Sequence, residues 1–453
     1  MRPKCEARGR RPKADRGVVL VLVLVVTAIL NVTVLDLSEN MLVVQRATHN
    51  GDRRVVAFYN ARSAVNLGRL TLVLQAFVNS QMSAQKGGRG GVDIAPWSGM
   101  LLDMFASEAT RSAMLEGFAG IPGDLVSGFA TLDGSFAVTV VDEDGRINVN
   151  LAAQGDESQQ WLDRVLSQLA APSEYDEMFG SLGPDGQVTT REQFVAATID
   201  WADTNEQLYV RAAASGGVED NVYETLPDPY VRKDAPFDSI EEIRLVRGVG
   251  EDLWQTFLDP DPLDPGARTL TIWGQGKINL NAAPLRVLAA VICALAVDQR
   301  ACDPRNFERV LLLAAAVKEA AGSRFGSPNQ FVRMVGSGTE DAPGIAIDGS
   351  LADKWLATTG RVFSLYVVGT APVAGKPAAR AAAVRERPAE PSRREGRARR
   401  EAEPQAQARA EDEADEGGTP AVAPEVVVRL HVVVDTTPPW HAQGGRILYW
   451  REL

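Results

Sequence analysis

Asp200, Asp203, Asn205 and Glu206 fall within seven residues, and Glu219 and Asp220 follow a Gly216-Gly217 turn shortly after. Carboxylate and amide oxygens grouped in this way are what a calcium ion takes, about six to eight at a time. The expectation is a calcium site built from these two loops, set against the plainer reading of a solvated acidic surface. Asp142-Glu143-Asp144-Gly145 has a similar look. It lacks the downstream glutamate of an EF-hand and reads as a turn. Cys293 and Cys302 are nine apart. In an oxidising compartment they can bridge two helix ends, or they are two small buried thiols.

The pair RINVN (146–150) and KINLN (277–281) is a second chemical pattern. Asn148, Asn150, Asn279 and Asn281 alternate with apolar residues, which puts amides on one side and Ile, Val and Leu on the other. We read them as groups that cap helices and hydrogen-bond loop backbone. Ala282-Ala283-Pro284 then opens a helix. Chemistry of other kinds is poorly served. His49, His431 and His441 are far apart, and there is no H-E-x-x-H, Walker A or G-x-S-x-G pattern. No enzyme is expected.

The elements that must hold these groups begin with a membrane segment. Lys+Arg is 47 against Asp+Glu 59, a net charge of -12 in 453 residues. Residues 1–17 hold seven basic and two acidic side chains, so the remainder carries -17. Residues 18–35, VVLVLVLVVTAILNVTVL, have no charge. At ~1.5 Å per residue they span ~27 Å, enough for a bilayer. Basic before and acidic after, the pattern puts the N-terminus in the cytoplasm. No small-residue cleavage site follows the apolar run, which argues against a removed signal peptide. Apolar spacing continues through Val56, Tyr59, Leu67, Leu70, Leu74 and Phe77 without proline, so one rod of ~60 residues is expected, ending at the GGRGG of 87–91.

Further along, Ser135–Asp142 alternates as a strand, and strand patterns recur at Arg361–Val368, Glu425–Val434 and Ile447–Trp450. Residues 376–400 carry nine basic and three acidic side chains, and 401–417 carry seven acidic and one basic. Such a block cannot bury a core and reads as a charged disordered insert in a loop.

A family becomes visible in these residues. Arg16-Gly17 before an apolar helix starting at Val18 resembles the type IV prepilin signal, which implies cleavage between Gly17 and Val18 by prepilin peptidase. Leu22 stands where most such proteins have glutamate as fifth mature residue. That departure, with the ordered motifs RINVN, ATIDWADTNEQ (197–207), PFDSIEEIRLVRGVG (236–250) and KINLNAAPLRVLAA (277–290), resembles the type II secretion minor pseudopilin K, the general secretion pathway protein K family.

The resemblance implies an α+β fold. A membrane-spanning helix continues into a pilin-like helix with a small antiparallel sheet, and a large α-helical domain, SAM-like or helix-hairpin-helix-like, is inserted. The implied organisation is leader 1–17, membrane helix 18–35, outer helix 36–80, head 81–150, inserted helical domain 151–345, head strand 346–370, charged insert 371–424 and terminal strands 425–453. It implies a structural subunit at the tip of a short pseudopilus, priming its assembly and supporting secretion across the outer membrane. The implied partners are other minor pseudopilins, prepilin peptidase and the inner membrane, with the body periplasmic and calcium near the DWxD segment. A membrane-anchored helix-hairpin-helix DNA-binding protein of a competence or type IV pilus-like system is the alternative. Glu251-Asp252 directly after Gly248-Val249-Gly250, and the -17 charge, oppose phosphate binding, so no nucleic acid is expected.

Overall fold

The computed structural model describes residues 15–86, 134–182, 186, 188–205, 207–209, 223–224, 226, 228–261, 264–322, 324–339, 342–373, 425–437 and 445–453. Most of the leader, residues 87–133 of the expected head, Glu206, Glu219, Asp220 and most of the charged insert lie outside the described residues.

Helix α1 runs unbroken from Asp15 to Lys86, 72 residues. It runs past residue 80, the boundary given to the outer helix, because nothing from Arg69 to Lys86 is glycine or proline, and it stops where the expected Gly87-Gly88 break begins. Every side chain from Val19 to Asp52 is exposed. The stretch up to Tyr59 belongs to one compact unit and Asn60 onward to another. In this second unit Ala61, Ala64 and Val65 are buried. Gly68 lets the helix backbone lie close on a sheet: a β-carbon there would stand 3.3 Å from Leu365 and 3.8 Å from Val138.

The sheet has the order β1 (Ser135–Asp142), β6 (Val362–Pro372), β7 (Glu425–Asp435), β8 (Arg446–Glu452). β7 and β8 are antiparallel, with Val432 opposite Trp450 and a bulge at Val433/Val434. The fold is therefore α+β. Between β1 and β6 the chain makes a helical domain that includes α2 (Asp156–Ala170), α3 (Arg191–Ala202), α4 (Leu285–Leu295), α5 (Phe307–Ala320), α6 (Pro328–Ser337) and α7 (Gly349–Trp355). α4 is buried from Val287 to Leu295 and packs against both α2 and α5. A helix apolar on all sides can only be central. α2 turns Trp161, Leu162, Val165, Leu166 and Leu169 inward at helical spacing and leaves its polar residues outside. α7 stands in the stretch 346–370 assigned to the head strand, and the strand itself starts at Val362.

The two asparagine motifs build the same device twice. β2 (Ile147–Asn148) pairs parallel with β3 (Leu270–Thr271), and β4 (Ile278–Asn279) pairs parallel with β5 (Leu356–Ala357). Asn148 Oδ1 accepts from Asn150 N at 2.9 Å, and Asn279 Oδ1 accepts from Asn281 N at 3.2 Å. Asn150 Nδ2 donates to Phe237 O and Ile272 O, while its Oδ1 accepts from Phe237 N. Asn281 does the same with Phe325 O, Thr358 O and Phe325 N. In both copies a side chain five residues past the phenylalanine, Glu242 or Gln330, accepts from the next backbone N–H, that of Asp238 or Gly326. Each asparagine thus satisfies backbone groups that burial would otherwise strand. Pro284 sits just before α4 as its N-cap.

Asp142-Glu143-Asp144-Gly145 is a 3-10 turn, but a buried one that joins sheet and helical domain. Glu143 pairs with Arg146 at 2.8 Å and accepts from Thr271 and Ser364 hydroxyls. Asp144 accepts from the backbone of Arg361 and Val362, which lead into and begin β6, and from Gln275. Asp142 accepts from Asn279 Nδ2 at 2.7 Å. Burial alone would raise the Glu143 carboxyl, yet Arg146 and the two hydroxyls hold it below the usual range. Burial pushes Asp144 upward against its three N–H donors. Gly145 is needed because a β-carbon would meet the Ala282 backbone at 2.8 Å.

Cys293 at the end of α4 and Cys302 meet as a disulfide, with Cα atoms 5.6 Å apart. A loop this short removes about 2.5 kcal/mol of unfolded-state entropy in the chain-closure account. Cys302→Ala with Cys293→Ala should therefore lower the unfolding midpoint, and dithiothreitol should have no further effect on that variant. Equal midpoints for the wild type and the double variant would sink this expectation.

Candidate functional site

The acidic loop begins where α3 ends. Thr190 and Gln193 close the start of α3 with a capping box, and Asp203 is its C-cap. Trp201 is bedded among Tyr223, Tyr230 and Phe237, with centroids 5.4, 6.2 and 6.3 Å away, and its Nε1 donates to Glu242 at 3.2 Å. This aromatic packing anchors the last turn and so fixes the two carboxylates beside Trp201. Asp200 is buried, and its Oδ1 accepts from Tyr209 N at 2.7 Å. Asp203 is 2% exposed; its Oδ2 accepts from Asn205 Nδ2 at 2.7 Å and Gln159 Nε2 at 3.3 Å, while its Oδ1 is buried with no partner among the described residues. Asn205 Oδ1 accepts from Gln207 N.

Three of the six expected ligands, Glu206, Glu219 and Asp220, lie outside the described residues. Among the described residues no three His, Cys, Asp or Glu side chains come together as a metal centre. The structure does add two groups that the sequence reading missed. Arg232 donates to Asp234, and both act on Asp203: burial raises the Asp203 carboxyl, Arg232 opposes that rise and Asp234 adds to it. Asp234 takes a left-handed backbone with φ 51, a conformation that aspartate tolerates better than most residues. Its place just before the PFDS motif gave no signal of this.

The candidate phosphate turn has different occupants. Gly248 has φ 81, and a β-carbon there would strike Thr189 at 2.4 Å. The segment before it, Ile240–Leu245, is a 3-10 turn instead of the first α-helix of a hairpin. Glu251 at the following helix start accepts from Arg244 and Gln255. Glu251 and Asp252 thus put negative charge in the first turn, where a phosphate would be repelled.

At the other end of the chain, α1 is long and apolar enough to cross a membrane, and its apolar window is wholly unburied. Gly17 and Val18 lie within its first turns. Leu22 is 61% exposed among Val, Leu and Ile side chains. Thr27 and Thr33 donate back to Val23 O and Ile29 O, so their hydroxyls are satisfied within the helix. Among the described residues α1 is the one helix fit to serve as a membrane anchor.

No curated protein matches the chain. Among solved structures it is similar to a chain of the GspK-GspI-GspJ complex from the enterotoxigenic Escherichia coli type 2 secretion system. The identity is 15%, the match covers 83% of this chain and 98% of that one, and the TM-score is 0.40. The stretch that holds the first asparagine clamp, α2, α3, the DWxD turn and the Gly248 turn, residues 145–259, matches the family model of the type II secretion system (T2SS), protein K.

Proposed function

We propose that the protein is a minor pseudopilin of a type II secretion system, anchored in the inner membrane by the start of α1 with its N-terminus cytoplasmic and its body periplasmic. The match of residues 145–259 to the protein K model carries this reading. In it the protein takes the tip of the pseudopilus, primes its assembly and supports secretion across the outer membrane. Leu22 supports the tip position: a carboxylate inside the bilayer is expensive without a positive partner, and a subunit lacking one has no charge with which to dock beneath another. The bulk of the helical domain also fits a place with no subunit above it. The role is structural, without catalysis.

Intact-mass and N-terminal analysis of the protein from native membranes tests this. The expected mature chain starts at Val18, and it should co-purify with other minor pseudopilins. A chain that keeps Met1, or one cut after residue 35, would overturn the reading.

The same reading includes calcium at the end of α3. Two carboxylates in the last turn of a helix face its negative pole and repel each other unless a cation is near. The buried Asp203 Oδ1, without a partner among the described residues, is where such a cation would find a free donor. Asp200, Asp203 and Asn205 would hold it with Glu206, Glu219 and Asp220; the ion would supply charge neutralisation and tie the two loops together. In chelator-treated protein, calcium at a hundred times its dissociation constant should stabilise by about 2.7 kcal/mol. Asp203→Asn should abolish the increase in thermal midpoint. An increase of the same size in the variant, or none in the wild type, would refute the site.

A further inference from the structure

The two edges of the four-stranded sheet are built differently. β8 pairs through a bulge and carries Arg446, Arg451 and Glu452, devices that keep a further strand from adding. β1, the other edge, has neither charge nor proline from Ser135 to Val141. Apart from its pairing with β6, the backbone of residues 136–141 makes no backbone hydrogen bond among the described residues. This edge opens on a cavity. Residues 139–142 line it together with Arg146, Asp264 and Ala282, and its volume is about 260 Å³. Arg146 is 4% exposed, and its Nε has no partner among the described residues.

We propose that the β1 edge is a docking site for an extended, basic peptide segment of a partner protein, which adds to the sheet as a further strand and sets a lysine or arginine beside Asp264. A strand edge presents a row of N–H and C=O groups, and an added strand satisfies them while its side chains supply specificity. A carbonyl of the incoming segment is also the acceptor that Arg146 Nε lacks. The charge of the occupant follows from the cavity. Its ionisable lining groups are Asp142, Asp264 and Arg146, and Arg146 is already paired with Glu143. The remaining charge is therefore negative, which draws a basic segment and repels an acidic one. Asp264 is the exposed carboxylate of the pair and the one a side chain from outside can reach.

Fluorescence anisotropy of the labelled peptide Thr-Val-Lys-Val-Thr with the full-length protein in detergent tests this. The peptide should bind, its counterpart with Glu in place of Lys should bind more weakly, and a version N-methylated throughout should not bind, because methylation removes the pairing N–H groups and keeps the side chains. Asp264→Asn retains the acceptor for Gly266 N and loses the charge. It should weaken the Lys peptide by up to about fivefold and leave the neutral peptide Thr-Val-Val-Val-Thr unchanged. Hydrogen exchange is the second readout: the outward amides among residues 139–141 should exchange fast in the free protein and slowly with the Lys peptide bound. A Lys peptide that fails to bind, or that binds no better than the Glu or the N-methylated one, overturns the proposal. Amides already protected in the free protein overturn it as well, since the chain would then cover its own edge.

Discussion

Glu143→Ala is expected to lower the stability of the helical domain and sheet by about 3–5 kcal/mol, the usual result of leaving one partner of a buried ion pair behind. Arg146, 4% exposed, would keep its charge with no carboxylate beside it, and its Nε already has no partner. The Ser364 and Thr271 hydroxyls would lose their acceptor as well. These two residues lie on β6 and β3, so the loss falls on the connection between sheet and helical domain. The double variant Glu143→Leu, Arg146→Met should recover much of the stability, because an apolar pair of similar volume needs no desolvation of charge. Urea unfolding of the full-length protein followed by circular dichroism checks this. A single variant within about 1 kcal/mol of wild type would mean that the pair is not the junction described above.

Acid should weaken the same junction through His431. The ring stacks on Tyr366 with centroids 4.4 Å apart, meets Tyr449 edge-on, and places Nε2 3.1 Å from Ser364 Oγ. Across the ladder it faces Arg451. Burial drives its pKa down to about 4, with Arg268 and Arg146 acting in the same direction and Glu143 and Glu241 against it. A depressed folded-state value means that the unfolded chain takes up the proton first, so stability falls as pH falls from about 6.5 to about 4. Two and a half units correspond to about 3 kcal/mol at most. Asp144, raised by burial, changes stability in the opposite sense, so the comparison of variants isolates the histidine. His431→Phe should flatten the slope of stability against pH in this window. An unchanged slope would show that the ring is not buried neutral.

Much of this architecture was legible in the chain. The uncharged run at 18–35 and the period of 3.6 beyond it could only make a long helix, since α-helical hydrogen bonding is local. The alternation in Ser135–Asp142, Glu425–Val434 and Ile447–Trp450 marked strands that the structure contains almost to the residue. The repeated I-N-x-N pattern was visible as well, because it recurs at one spacing. Its partners were not. Asn150 reaches Phe237 and Ile272, and Asn281 reaches Phe325 and Thr358, over 87, 122, 44 and 77 residues. No local pattern encodes such separations.

The acidic loop shows the same division. Carboxylates clustered around Trp201 were evident by spacing, and so was the chance of a cation among them. Arg232 and Asp234 entered only with the fold, because they come from a different segment that the aromatic bed of Trp201, Tyr223, Tyr230 and Phe237 brings alongside. Asp142-Glu143-Asp144 read only as a turn by composition. Burial turned it into a junction, and burial depends on what the rest of the chain packs over it.

By itself, then, the order of residues determined the membrane helix, the strands, the paired cysteines as candidates and the two asparagine units, all of which follow from short-range periodicity and backbone preference. Tertiary structure alone decided which charges are desolvated and which carboxylate oxygen lacks a partner among the described residues. Those properties come from distance and dielectric, and both are set only when segments remote in sequence are packed together.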